Sequence, residues 1–226
     1  RGSVALYYAK YYLGGDADLQ SMFLSTGVGA AILAMVASTW ITKRYCKVKL
    51  FRFSQMAVGV LSLLMYFVVG PNDVALAFIL FFLISFVVDL HAPIFWSAIA
   101  EVVDYGESKT GKRVAGLAFG GISFCQKAGM GVAGALVGWL LAYFEYEASA
   151  QQSEFTLMGI VLMLTIIPGA FHYLVGWLMN RYKITDDEYK SLSAVVQANR
   201  KAALANGEAQ LNSNDQHNAD MASGVK

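Results

Sequence analysis

Apolar residues come in long unbroken runs separated by short polar connectors. Leu19 to Ile41 carries no charge, and neither does Phe53 to Gly70. Val74 to Ala100 is interrupted only by Asp89 and His91, Val114 to Phe144 by Lys127, and Phe155 to Met179 by His172. A helix needs about 20 mostly apolar residues to cross a hydrocarbon core about 30 Å thick. Each run has that length, and five in succession do not read as core helices of a soluble domain. A sixth apolar stretch, from Arg1 to Leu13, ends at Gly14-Gly15-Asp16 and reaches only roughly 20 Å. It is expected to be the remainder of a span cut in the middle. The pattern predicts an all-α membrane protein with six transmembrane helices over residues 1–183.

The connectors alternate in charge. Those at Gly14 to Asp18, Pro71 to Asp73 and Glu145 to Glu154 hold acids and no lysine or arginine. The opposite set holds Lys43, Arg44, Lys47, Lys49 and Arg52, then Lys109, Lys112 and Arg113, then Arg181 and Lys183. The positive-inside rule puts this second set, and with it the C-terminus, in the cytoplasm. Beyond the last run, Thr185-Asp186-Asp187-Glu188 reads as a capping box. It opens a short cytoplasmic helix over 184–205, with Tyr189, Leu192, Val195 and Val196 as its apolar stripe. Residues 206–226 show no apolar period and read as a disordered cytoplasmic tail.

Composition sharpens this picture. Hydrophobic residues make up 57% and charged ones 15%, against about 45–50% and about 25% in soluble domains. A net charge of +1 excludes the basic surface of a nucleic-acid binder. Cys46 and Cys125 form no disulfide framework or metal-ligand pattern. No phosphate-binding loop, nucleophile elbow or zinc motif is present, so nothing marks an enzyme or a bound cofactor.

The candidate chemistry lies in the few polar residues inside the apolar runs. Lys127 stands about 13 residues into its span, roughly 20 Å along the axis and close to the midplane. A charge there costs about 2.5–3.5 kcal/mol, which is met by facing a bundle interior, a watery cavity or an ion pathway. Snorkelling to the interface is the plainer alternative, although the stem covers only part of that distance. Asp89 is the one acid at comparable depth, with His91 two residues on. Arg1 and Lys10 add cations in the first stretch. Buried cations therefore outnumber buried acids, and the missing acids are expected in a part of the protein outside this chain. The Val114 to Phe144 run is glycine-rich, and Gly134 to Gly138 matches the GxxxG pattern of close helix contacts.

Glu101-Val102-Val103-Asp104-Tyr105-Gly106-Glu107, the basic turn after it and Arg113 resemble the loop between helices ten and eleven of the glycoside–pentoside–hexuronide:cation symporters. These are major facilitator proteins of the melibiose permease type. Lys127, 14 residues after that arginine, matches the family's intramembrane lysine. Leu6-Tyr7-Tyr8 and the Gly-Asp-Ala-Asp-Leu stretch resemble its seventh helix and outer loop. Glu101 departs from the more usual aspartate but keeps the charge. The resemblance implies the C-terminal six-helix half of a twelve-helix symporter of the cytoplasmic (inner) membrane. It implies a sugar substrate, a coupling Na⁺ or H⁺ and no other cofactor. The bilayer and the N-terminal six-helix half are the implied partners. Lys127, with Asp89 and His91, would serve the cation and substrate site. Glu101, Asp104, Glu107 and Arg113 would close the cytoplasmic gate, and Tyr7, Tyr8 and Trp96 offer surfaces for stacking on sugar. A lysophospholipid carrier of the same fold and a non-transporting membrane interaction protein are the alternative readings.

Overall fold

The computed structural model describes residues 1–71, 73–148, 150–182, 189, 191–198, 201–202 and 204–205. The proposed capping box at 185–188 and the tail at 206–226 lie outside the described residues. Every described element is helical. α1 (Gly2–Tyr7) runs into a π-helical turn at Tyr8–Tyr12. There follow α2 (Ala17–Ile41), α3 (Lys47–Val68), α4 (Val74–Asp89), α5 (Ala92–Thr110), α6 (Ala115–Tyr143), α7 (Glu154–Leu164) and α8 (Ile166–Leu178).

Length and composition make five stretches long and apolar enough to cross a membrane: Ala17–Ile41, Lys47–Val68, Val74–Thr110, Ala115–Tyr143 and Glu154–Arg181. They match the five long runs read from sequence. The boundaries differ in one direction. α3 starts at Lys47 rather than near Phe53, and α5 continues to Thr110 rather than Ala100. An uncharged run marks the hydrocarbon, whereas backbone hydrogen bonding carries the helix onward into the polar zone until a cap stops it. Asp16 caps α2 by accepting from Leu19 N–H at 2.9 Å, and Ser153 caps α7 by accepting from Thr156 N–H at 3.2 Å. Gly111, at φ 70°, ends α5 in the left-handed conformation.

Two spans are broken midway. Val74–Thr110, the fourth span when the short first stretch is counted, is interrupted at Leu90 and His91 between α4 and α5, with Pro93 in the first turn of α5. Proline has no N–H to offer the carbonyl four residues earlier, here that of Asp89. Ser38 Oγ on α2 donates to the Leu90 carbonyl at 3.0 Å, satisfying backbone that the break frees in the apolar interior. The last span breaks at Thr165, three residues before Pro168. There Thr165 Oγ1 turns back to donate to the Val161 carbonyl at 2.6 Å.

The core lies toward the ends that carry the acidic connectors. Tyr8 is buried between Tyr12 and Phe23, and Phe23 stacks on Phe81 at 4.2 Å. Met65, Ile160 and Leu164 close around them. The closest helix pair is α3 on α8, and its seam is glycine. A Cβ at Gly59 would stand 2.9 Å from Tyr173 Cβ, and one at Gly169 would stand 2.8 Å from Ser62 Cβ. Small residues let helices approach closely in lipid. The GxxxG motif read on α6 has no such role within the described chain, because a Cβ at Gly134 or Gly138 meets nothing within 4 Å.

Candidate functional site

Charged and polar groups gather at two levels. The first is the end bearing the basic connectors. Asp104 and Glu107, three residues apart, lie on one side of α5. The left-handed Gly111 reverses the chain and lays Arg113 back over that side. One nitrogen, Arg113 Nη1, meets Asp104 Oδ1 at 3.1 Å and Glu107 Oε2 at 3.2 Å. The remaining oxygen of Asp104 accepts from Tyr189 OH at 2.9 Å, tying the segment after the last span to this corner. Glu101, grouped with these residues on sequence, points elsewhere. It is buried, at 3% exposure, and pairs with Lys47 of α3 at 2.6 Å. Ser97 Oγ donates to the same carboxylate at 3.2 Å.

Beside that pair is an apolar cavity of about 530 Å³ between α3, α5, α6 and the end of α8. The hydroxyl of Tyr182 is buried at its wall with no partner among the described residues. Burial first, and the nearby Glu101 carboxylate second, push the Tyr182 phenol above its ordinary value.

The second level is the middle of the spans. Lys127 projects from α6 on an exposed face and has no ion-pair partner among the described residues. Gly131, Gly134 and Gly138 follow it at i+4, i+7 and i+11, and Gly120 and Gly116 precede it at i−7 and i−11. This spacing puts all six on one side of the helix. A Cβ added at any of the five glycines meets nothing within 4 Å. Leu117, Ala118, Gly121 and Ile122, on the other side of α6, wall the 530 Å³ cavity. Beyond that wall α6 is exposed over most of its length, and Lys127 and the five glycines form one smooth stripe of this uncovered surface.

Asp89 and His91 do not join Lys127. They flank the break in the fourth span, where Asp89 interacts electrostatically with His91 and Arg1. His172 of α8, seen in sequence only as a lone polar residue, lies across from them. Its Nδ1 stands 2.6 Å from Gln55 Oε1 of α3. His91, His172 and Gln55 line one cavity of about 430 Å³, together with the rings of Phe51, Phe95 and Phe171. Sequence reading missed Gln55 because a single amide in an apolar run has no periodic signal. Its partner is 117 residues away.

The three aromatic candidates separate. Tyr8 is 1% exposed and packed in the core, so it is withdrawn as a stacking surface for a ligand. Tyr7 packs edge-on against Tyr146 at 5.2 Å. Trp96 is 42% exposed and stacks on Phe119 of α6 at 6.4 Å. No group of three or more His, Cys, Asp or Glu among the described residues is arranged to hold a metal ion.

The family model described as MFS/sugar transport protein matches residues 1–186. The chain belongs to this major facilitator family of sugar transporters. An Escherichia coli (strain K12) protein named for glycoside/cation symport, YagG, is 33% identical over 203 residues, which cover 89% of this chain and 44% of that protein. The inner membrane symporter YicJ of the same organism is 33% identical over 183 residues, covering 80% of this chain and 39% of YicJ. An uncharacterized 29.9 kDa protein of Pseudescherichia vulneris is 30% identical over 189 residues, covering 83% of this chain and 68% of its own length. The chain thus spans less than half the length of YagG and YicJ. No solved structure matches it. The resemblance to the symporter family read from the α5–α6 turn is borne out, and the relatives are named as membrane symporters, not as enzymes.

The Lys47–Glu101 pair makes a stability prediction. Lys47→Met strands a buried carboxylate and should cost about 2 kcal/mol, below the usual cost of breaking a buried pair because Lys47 is 31% exposed. Adding Glu101→Gln should recover most of that loss. A double-mutant cycle by thermal unfolding in detergent reads the coupling, and strictly additive losses would rule the pair out as a stabilising contact.

Proposed function

We propose that the chain forms one six-helix half of a sugar:cation symporter of the cytoplasmic membrane and works against a second six-helix half. The whole protein would couple downhill entry of Na⁺ or H⁺ to uptake of a glycoside, pentoside or hexuronide. The observation that carries this reading is the uncovered stripe of α6. A charge near the midplane needs a partner or water, and no described residue forms an ion pair with Lys127. Acids of the second half would supply it, and the five glycines would let the two surfaces approach and slide.

On this reading the coupling cation competes with Lys127 for those acids. Because both ligands then bias one rocking transition, their coupling is reciprocal. The Asp104–Glu107–Arg113 cluster sits where an inward-facing gate would form and break ion pairs, with the basic end in the cytoplasm. Among the described residues, the apolar 530 Å³ cavity is a feature that would suit a lipid. It lies on the opposite side of α6 from Lys127, away from the proposed pathway, which favours the sugar reading. The printed names of YagG, for glycoside/cation symport, and of a glucuronide carrier homolog point the same way.

Uptake of labelled glycosides and glucuronides into vesicles under an imposed Na⁺ or H⁺ gradient tests the mechanism. Lys127→Leu should reduce accumulation to the level of empty vesicles. Lys127→Arg should rescue poorly, since a planar guanidinium does not replace a compact ammonium. Normal gradient-driven uptake by Lys127→Leu would reduce the lysine to a snorkelling side chain.

Orientation is tested by labelling. A cysteine at Lys112 should react with an impermeant maleimide only after the cells are opened, and one at Gln151 in intact cells. The reverse pattern would overturn the proposed topology.

A further inference from the structure

The polar cluster at the broken fourth span is not used by the mechanism above, which draws its acids from outside the chain. Its construction is specific. The break at Leu90–His91 takes His91 out of the regular helix and places it at the start of α5. There its ring meets Phe51 of α3 edge-on at 5.2 Å. His91 Nδ1 is buried and has no partner among the described residues. Across the 430 Å³ cavity stands His172, whose Nδ1 is engaged by Gln55 at 2.6 Å. With the amide oxygen as acceptor, Nδ1 of His172 carries the proton of the neutral ring, and Nε2 keeps its lone pair.

The charges around the cavity are few. Asp89 at the end of α4 interacts with His91, and the Arg1 guanidinium acts on His172. Phe51 and Phe95 add apolar walls from α3 and α5. Two titratable rings thus share one cavity. The ring whose buried Nδ1 is unpartnered among the described residues is the one seated in the break of the span.

We propose that His91, with His172 as its partner across the cavity, is a proton-binding site within this half of the transporter, so that H⁺ is a coupling ion. One proton adds to an imidazole nitrogen of His91, giving an imidazolium opposite Asp89. It leaves from the same nitrogen when the span rocks, and no bond other than N–H forms or breaks. Transport coupling rests on the symport reading above, but the proton site itself does not.

Two measurements on the whole protein in lipid vesicles separate these levels. Nitrogen NMR of ¹⁵N-histidine-labelled protein should show a resonance, absent in His91→Gln, that takes up one proton between about pH 5 and 8. In His172→Gln, which keeps an amide beside Gln55, that resonance should titrate at a shifted pH. An imidazole at His91 that stays in one protonation state across that range overturns the site, whatever the protein transports. In the second measurement an acid-outside gradient should drive sugar accumulation by the wild type. His91→Gln should lose this accumulation while keeping the wild-type thermal transition in detergent, which shows that the variant is folded. Undiminished proton-driven accumulation by His91→Gln overturns the coupling role. Titration of His91 without any sugar exchange by the wild type would leave the proton site standing and remove the symport reading instead.

Discussion

The cost of placing a charge or an unpaired backbone group in hydrocarbon governs this chain more than any other term. It limits the spans to helices and restricts ionisable residues within them to a handful. Each exception then has to be met locally. At the fourth span, Ser38 donates to the Leu90 carbonyl where the helix breaks. At the last span, Thr165 folds its hydroxyl back onto Val161 three residues ahead of Pro168. Lys127, the Arg1 guanidinium and His91 Nδ1 are the exceptions that no described hydrogen bond or ion pair resolves, and that is why their surroundings bear so directly on function.

Packing follows a similar division. Where the acidic connectors lie, aromatic and aliphatic side chains close a core around Tyr8, Phe23 and Phe81. Toward the basic end the helices enclose cavities, and ion pairs take over as the contacts between elements. α3 and α8 are drawn together along Gly59 and Gly169, whereas the glycines of α6 face outward. One residue type thus does two jobs. It sets a close, fixed contact in one helix pair and leaves a smooth open surface on another helix, which on the proposed reading meets a moving partner.

The spans were legible in sequence because hydrophobic runs of that length have no other stable solution in water or lipid. The polar turn from Glu101 to Arg113 was legible because its order of acids, glycine and base is dense and local. The Glu101–Lys47 and His172–Gln55 contacts were not. Each joins helices far apart in the chain, and no periodicity links positions 54 or 117 residues apart. Tyr8 misled for a related reason. Aromatic residues serve equally in cores and at binding surfaces, and only packing against Phe23 decides between them.

The central claim is that the stripe running from Gly116 through Lys127 to Gly138 borders an aqueous substrate pathway between two halves, not lipid. The most direct test is a single cysteine at Gly131 in the whole protein, with Cys46 and Cys125 replaced by serine. A small charged thiosulfonate should modify it in membrane vesicles, and transported sugar should protect it. Inertness to that reagent, with quenching of a fluorophore at position 131 by nitroxide-labelled lipid, would place the stripe against the bilayer and contradict the two-half arrangement.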